Sequence, residues 1–333
     1  MILTETTYAG IGLAGNPSDG CFGKAVAVPA ANYSASVTLY ESPEVNLVPT
    51  EQDHAAFTDL ADMSLDVEAY GYYGGVRLLK AAARTFLEHC EVQGIELPAR
   101  NFTARYSSSI PRRVGLAESS AVVTAMLRAL VRFYEAPVAR EQIPRLAWLT
   151  EREELGIPCG LMDRVMQTYG EPVFMDLNRQ AIETEGHGTY QAIPRECIPS
   201  LMLALPATPR TPGGDYHRAL GIHVQEQNDD LLERMQEFAA IAVEARDALT
   251  QRNYERLGTL MDRNFDLRQR LFPLPEPETA VVRSIRQLGL PAKLAGGSGT
   301  VVALCTDDAC LDRLAEAVRP HAYAVEPLRL PEP

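Results

Sequence analysis

The stretch with the tightest structural consequences is NFTARYSSSIPRRVGLAESSAVVTAMLRALVRFY, from Asn101 to Tyr134. Its opening segment reads as a strand, and from about Ser119 apolar residues recur at helical spacing. Pro137 discourages the helix from running much beyond Tyr134. The order is therefore strand, loop, helix, with Pro111 and Gly115 in the loop. A helix N-terminus presents unpaired N–H groups and the positive end of the macrodipole, so a glycine-containing loop feeding one can cradle phosphates. Glu118, Ser119 and Ser120 stand at that start. They equally suit an ordinary helix start, in which serines cap and an acid complements the dipole, and the stretch alone leaves both readings open. The phosphate-loop signature GxxxxGK[ST] is absent: Gly15 and Gly20 have its spacing, but Cys21 stands where lysine is required.

The remaining pattern is α+β. VAVPAANYSASVTLY, from Val26 to Tyr40, has the β-branched alternation of strands, whereas GYYGGVRLLKAAARTFLEHC is spaced as a helix. A second helix is expected over about Gln142 to Leu155, a short one after PCGLMD, and a strand at EPVFMDL. Polar, turn-rich sequence follows. From about Ser200 the pattern restarts with LMLALPAT, long helices over Asn228 to Thr250 and Tyr254 to Leu271, another before Gly289, and strand-like GTVVALC. A boundary near Glu196 divides the chain into residues 1–196 and 197–333.

With 333 residues, 46% of them hydrophobic, the chain can bury two modest cores. A net charge of −13 argues against a general nucleic-acid or anionic-membrane binder, which needs a basic face to displace counterions. A small-molecule partner remains open. The six cysteines have no CxxC pair or His/Cys ligand spacing, so neither zinc nor a disulfide framework is expected and a reducing cytoplasm fits. MILTETTYAGIG lacks the features of a signal peptide, and no apolar run approaches the roughly 18 residues of a membrane span.

Two further stretches carry chemistry. In EREELGIPCGLMDRV, Glu151, Glu153, Glu154 and Asp163 flank a Gly-Ile-Pro-Cys-Gly turn. Phosphoryl transfer needs a carboxylate for Mg²⁺ and often another for the hydroxyl proton, although acids at a turn are commonly just solvated. PAKLAGGSGTVVALC is a glycine-rich turn between apolar runs, suited to a hairpin or to a binding loop. Trp148 sits at helical core spacing and reads as packing. Cys159 has no paired histidine and reads as part of a close-packed turn. His217 reads as an exposed turn residue.

In that order these three stretches resemble the GHMP small-molecule kinases. The phosphate loop of that superfamily, Pro-x-x-x-Gly-Leu-x-Ser-Ser-Ala in outline, is matched by Pro111, Gly115, Leu116, Ser119, Ser120 and Ala121, with Ala117 and Glu118 in the small-residue stretch. CGLMDRV is similar to the galactokinase Cys-Gly-Ile-Met-Asp segment. Within the superfamily the chain looks most like the glucuronokinases, through GLAGNPSDGCFGK, YGGVRLLKAA, MDRNFDLRQRLF and AKLAGGSGTVV as well. The resemblance implies an N-terminal α+β domain and a C-terminal ferredoxin-like domain, with ATP, Mg²⁺ and a sugar or uronic acid between them. The implied reaction is phosphorylation of an anomeric hydroxyl, D-glucuronate to its 1-phosphate. It further implies Asp163 as catalytic aspartate, Glu151 as magnesium carboxylate and Ser120 as magnesium-linked hydroxyl. Ser119 and nearby amides would contact phosphate, and Asp19 would bind sugar. Gly296, Gly297 and Gly299 would form the third motif, with Asn16 and Lys24 as neighbours of the site.

Two departures from the family pattern matter. Gly10 stands where such sugar kinases commonly begin the first motif with an arginine, and Lys24, Arg112, Arg113 and Arg164 are the candidates to replace that cation. Glu118 would oppose phosphate by about 3 kcal/mol at about 6 Å and an effective dielectric near 20, unless Mg²⁺ or an arginine compensates. These departures support an alternative, a weakened kinase fold that binds a ligand or regulates; a kinase of the same superfamily acting on another sugar is the other alternative.

Overall fold

The computed structural model describes residues 1–50, 53, 58, 74–209, 229–305 and 310–332; His217 lies outside them. The chain opens on strand β1 (Ile2–Ala14), whose burial alternates at first and is then complete from Ala9 onward. A single turn at Ser18–Cys21 leads into β2 (Lys24–Ser42), one continuous strand where the alternation suggested strands, and then β3 (Asn46–Val48). Helix α1 (Gly75–Gln93), β4 (Asn101–Ser108) and α2 (Glu118–Tyr134) follow the expected spacing closely.

The next helical stretch fills its expected span but changes type partway. It splits into α3 (Ile143–Leu149) and a π turn, Thr150–Glu154, before α4 (Met162–Tyr169). The Thr150 hydroxyl donates to the Leu146 carbonyl at 2.8 Å and the Leu155 N–H reaches back to Thr150 at 3.1 Å. A π turn of this kind swings the residues it contains off the preceding helix face, and Glu151 becomes fully buried. β5 (Val173–Asp176) is as expected. The polar stretch after it is ordered as α5 (Arg179–Glu185), with Asn178 capping the Ala181 N–H at 3.2 Å, and β6 (Thr189–Ala192).

The second part contains β7 (Leu201–Pro206), α6 (Asp229–Thr250), α7 (Tyr254–Leu271), α8 (Glu276–Arg286), β8 (Ala292–Leu294), β9 (Val301–Leu304), α9 (Cys310–Val318) and β10 (Tyr323–Pro327). Among the described residues the strands form two sheets. In the first, β2 is the spine: its N-terminal end pairs with β5, its C-terminal half with β4, and β1 runs antiparallel along most of it. The second, ordered β10-β7-β9-β8, is antiparallel throughout and has the ferredoxin-like connection β-α-β-β-α-β, with three helices in the first crossover. The fold is thus α+β, as its sequence implies.

Sheet membership changes between Ala192 and Leu201, yet the cores are not separate. α6 lays Phe238, Ile241, Ala242 and Ala245 into the same cluster as Ile11, Leu13 and Val26 of the first sheet. A smaller core lies between the second sheet and α8 and α9, and a third joins α4 to β5. Cys305 and Cys310 are disulfide-bonded across the start of α9, with Cα atoms 6.1 Å apart. The cysteine spacing predicts no disulfide framework, and this single link, between cysteines five residues apart, is one that it does not signal. Among the described residues no helix is long and apolar enough to cross a membrane.

Three loops meet backbone to backbone beside β1. The Gly12 N–H donates to Ala295 O at 2.8 Å, and Thr300 gives both its N–H and its hydroxyl to Val114 O, at 2.8 and 2.7 Å. Gly115 has φ of +79°, and a Cβ there would overlap the Ser298 carbonyl oxygen. Gly115→Ala is therefore expected to cost about 2–5 kcal/mol, the sum of a left-handed alanine and an overpacked contact. Gly94→Ala is the control: φ is +65° with nothing within 4 Å of an added Cβ, so about 1 kcal/mol is expected. Denaturant midpoints of the two variants measure the difference, and equal losses would mean that the Ser298 loop yields freely.

Candidate active site

Asp163 stands in the first turn of α4 and points at β1. A Cβ added at Gly10 would lie 2.5 Å from Asp163 Oδ1 and 3.1 Å from Met166 Cε. Glycine at position 10 is thus what lets the carboxylate lie against the strand. Asp19, on the turn after β1, accepts the Met162 N–H at 3.3 Å. Asn16, Pro17, Asp19, Gly160, Met162, Asp163, Arg268, Gly296 and Gly297 line one cleft.

Burial pushes the Asp163 carboxyl up to about 6; the Arg164 guanidinium opposes this, while Asp19 and Glu151 add to it. Burial also raises Asp19, against the pull of the Met162 N–H and Arg164. A carboxylate whose ionised form is disfavoured by its surroundings is a better proton acceptor than one in water.

Glu151 and Arg164 form the neighbouring cluster. Glu151 Oε1 accepts the Ser119 hydroxyl at 2.6 Å, and Oε2 accepts Arg164 Nε at 2.9 Å and its Nη2. Arg164 Nη1 donates to Gly160 O at 3.1 Å and lies 3.9 Å from Asp163 Oδ2. One buried guanidinium therefore links both acids to the turn between them. Among the described residues no three acids, histidines or cysteines cluster as a metal cage. One carboxylate oxygen beside one hydroxyl still suits Mg²⁺, which typically takes one or two protein oxygens and fills its octahedron with phosphate and water.

The loop before α2 has positive φ at Arg113, Gly115 and Ala117, and not at the residues between. This alternation turns successive N–H groups toward one side, the backbone pattern of an anion-binding nest. Glu118 is the first residue of α2, buried, with a carboxylate oxygen 3.7 Å from Arg112 Nε. Of the two serines, Ser119 faces Glu151. Ser120 is wholly buried and its hydroxyl donates to Ala117 O at 3.0 Å, so its side chain secures the helix start. Pro111 is half-buried at the loop entrance, whereas Leu116 and Ala121 are buried in the core. Gly10 N–H donates to Leu116 O at 3.3 Å.

Lys24 differs from its expected place. Its ammonium pairs with Asp176 of β5, and it is not among the residues lining the cleft. Gly299 backs the loop before α2 and does not line the cleft: φ is +81° and an added Cβ would overlap Val114 O. Trp148 donates its indole N–H to Cys159 O at 3.2 Å, and burial pushes the Cys159 thiol up to about 12, so neither is poised to react.

Two buried basic residues at the cleft went unassigned in the sequence, Arg268 in its lining and Lys293 behind Asn16. Arg268 of α7 donates to Gly296 O at 2.6 Å and to Gly297 O at 2.5 Å. Lys293 of β8 spends its three N–H donors on Gly12 O at 2.7 Å, Asn16 Oδ1 at 2.8 Å and Leu294 O at 2.9 Å. Burial holds its ammonium well below the ordinary lysine range. A signal existed: Leu257, Met261, Asn264 and Arg268 fall on one buried face of α7, and two polar residues interrupting an apolar stripe need partners inside.

The GHMP kinases N terminal domain matches residues 77–171 and the GHMP kinases C terminal domain residues 245–324. Probable glucuronokinase 2 of Arabidopsis thaliana is 35% identical, over 99% of this chain and 92% of its own length. Glucuronokinase 1 of the same plant is 33% identical over 98% and 92%. Lactococcus lactis galactokinase complexed with galactose superimposes with a TM-score of 0.73, at 16% identity and coverage of 99% and 93%, which speaks for the fold. Both halves of the family pattern, and full-length relatives above 30% identity, therefore assign this chain to the GHMP kinase family.

Proposed function

We propose that the chain is an ATP-dependent sugar kinase that phosphorylates the anomeric hydroxyl of a uronic acid, D-glucuronate, to its 1-phosphate. The observation that carries this is Asp163: a half-buried carboxylate set against a strand with no side chain at Gly10, beside the Glu151–Ser119 pair and the nest before α2. Likeness to the two Arabidopsis glucuronokinases over nearly the whole chain supports the choice of sugar.

When bound, Mg²⁺-ATP supplies the transferable phosphoryl group and neutralises its charge. The protein's part is positioning and electrostatics. Asn16 and Asp19 orient the sugar from one wall, and Gly296 and Gly297 form the opposite wall. Asp163 accepts the proton of the anomeric hydroxyl as its oxygen bonds to phosphorus. The amides of Gly115 to Ser120 receive the phosphates, and Ser119 with Glu151 would hold the metal. Ser119 is preferred to Ser120 because its hydroxyl already meets the carboxylate, at 2.6 Å. Residues 1–196 and 197–333 act as the two lobes. Two features favoured a binding protein without turnover, and each has a counterpart that favours catalysis. Arg112 draws Glu118 away from a bare charge on phosphate, and Arg164 supplies the cation that β1 lacks.

Because the Asp163 carboxyl titrates near 6 and must be ionised to accept a proton, kcat/KM should be level above that pH and fall tenfold per pH unit well below it. Asp163→Asn should lower kcat about 10²–10⁴-fold and abolish that limb of the profile. Its thermal midpoint should be no lower than wild type, since the burial that raises the pKa disfavours the charge removed. A full-rate Asp163→Asn enzyme would remove Asp163 from the chemistry.

Glu151→Gln tests the metal assignment. The Mg²⁺ concentration at half-maximal rate should rise at least about tenfold, since a neutral amide is a poor ligand for a hard cation. Metal-free nucleotide binding, followed by calorimetry, should change much less. Equal loss in both measurements would mean that Glu151 serves only to anchor Arg164.

A further inference from the structure

Helix α4 carries more than Asp163. One turn further on stands Gln167, a wholly buried glutamine on the face that Asp163 shares, since residues four apart in a helix lie one above the other. Its amide nitrogen donates to Ala117 O at 2.9 Å. A carbonyl oxygen only accepts, so the amide nitrogen has to face it, and Oε1 is left buried with no hydrogen-bond partner. An orphan acceptor in the interior destabilises a fold, and a thioether chain of similar length would avoid it. What Gln167 contributes therefore lies in the bond that its nitrogen makes.

Ala117 stands immediately before α2 in a left-handed conformation, with φ of +58° and ψ of +46°, and offers the helix no side-chain cap. Its carbonyl accepts three donors: Gln167 Nε2, the Ser120 hydroxyl at 3.0 Å and the Ala121 N–H at 3.2 Å. The last two belong to α2 and would move with it. The bond from Gln167 comes from another helix, and so fixes the start of α2 relative to α4. β1 completes the arrangement: Gly10, which faces Asp163, donates its N–H to Leu116 O at 3.3 Å. A second route from α4 to α2 runs through Arg164, Glu151 and Ser119, the last two of which would take up the metal. The Gln167 bond depends on neither of them.

We infer, resting on the sugar-kinase reading, that Gln167 is a positioning residue: it sets the distance between the phosphate-holding amides at the start of α2 and the carboxylate of Asp163. Phosphoryl transfer is sensitive to such a distance, because the sugar oxygen must lie in line with phosphorus as its proton leaves for Asp163, and a misplacement of about 1 Å can cost on the order of 100-fold in rate. With no exposed surface, Gln167 reaches neither the transferred group nor the sugar. Its loss shows in turnover and leaves the affinity for each substrate nearly as it is.

The test measures kcat with D-glucuronate and Mg²⁺-ATP, the calorimetric affinity for each substrate alone, and thermal midpoints. It uses the full-length wild type, Gln167→Met, Gln167→Asn, Asp163→Asn and the double variant of Gln167→Met with Asp163→Asn. Gln167→Met removes donor and orphan acceptor together. It should lower kcat about 10- to 100-fold, change each affinity by less than about threefold, and melt no earlier than wild type. Gln167→Asn keeps an amide in a smaller volume but falls a methylene short of Ala117 O, so it guards against a misfit of the thioether and should lose a comparable factor. In the Asp163→Asn background, Gln167→Met should cost less than about threefold, because no carboxylate is left to place. A wild-type kcat in Gln167→Met or a loss carried by either affinity would overturn the inference. So would the full loss repeated in the Asp163→Asn background, which would leave Gln167 as a general support of the fold. A wild type that transfers no phosphate, or Asp163→Asn at full rate, would instead defeat the kinase reading or its base, and the inference with it.

Discussion

Backbone meeting backbone, with no side chain between, is the constraint on which this structure depends. The end of β1, the loop before α2 and the turn between β8 and β9 come from distant parts of the chain and touch through Gly12, Gly115, Gly296 and Gly299. A Cβ at any of them would meet a carbonyl or a side chain closer than van der Waals contact allows. Such proximity lets peptide groups of three loops share hydrogen bonds directly, at Gly12 with Ala295 and at Thr300 with Val114. Peptide dipoles held in this way have little freedom to reorient, which is what a site for a multiply charged ligand requires.

Charge in the site is arranged by short links. Arg164 bonds Glu151 and lies beside Asp163, so the two acids do not face each other uncompensated. Lys293 and Arg268 reach in from the second sheet and α7 and are held chiefly by neutral carbonyl and amide oxygens. Lys24, by contrast, is turned to Asp176 and does not line the cleft.

The helices and most strands were legible because their burial has a period. The helix at Glu118–Tyr134 and the pair at Asp229–Thr250 and Tyr254–Leu271 emerge within a residue or so of their expected limits. β1 escaped notice because its second half is buried on both faces and loses its alternation. The helical run from Ile143 to Glu154 reads as uniform, since a π turn does not change composition, only the hydrogen-bond offset. Within the site, residue types at the glycine and acid motifs were readable, and directions were not. Which serine faces Glu151 depends on the rotation of one helix turn; whether Lys24 reaches inward depends on Asp176, more than a hundred residues away. Arg164 was one cation among four candidates, and only its position beside both acids distinguishes it.

The absent side chain at Gly10 also bears on how such a site can change over time. With Asp163 occupying the space above β1, a larger residue at position 10 and the present Asp163 rotamer exclude each other. The cation beside that carboxylate is Arg164, covalently adjacent to Asp163 and bonded to Glu151. A lineage that acquired an arginine on β1 would first have to displace the carboxylate, and one that lost Arg164 would strand Glu151 in the interior. Positions 10 and 163 are therefore coupled: a side chain at 10 is accommodated only if the Asp163 carboxylate moves.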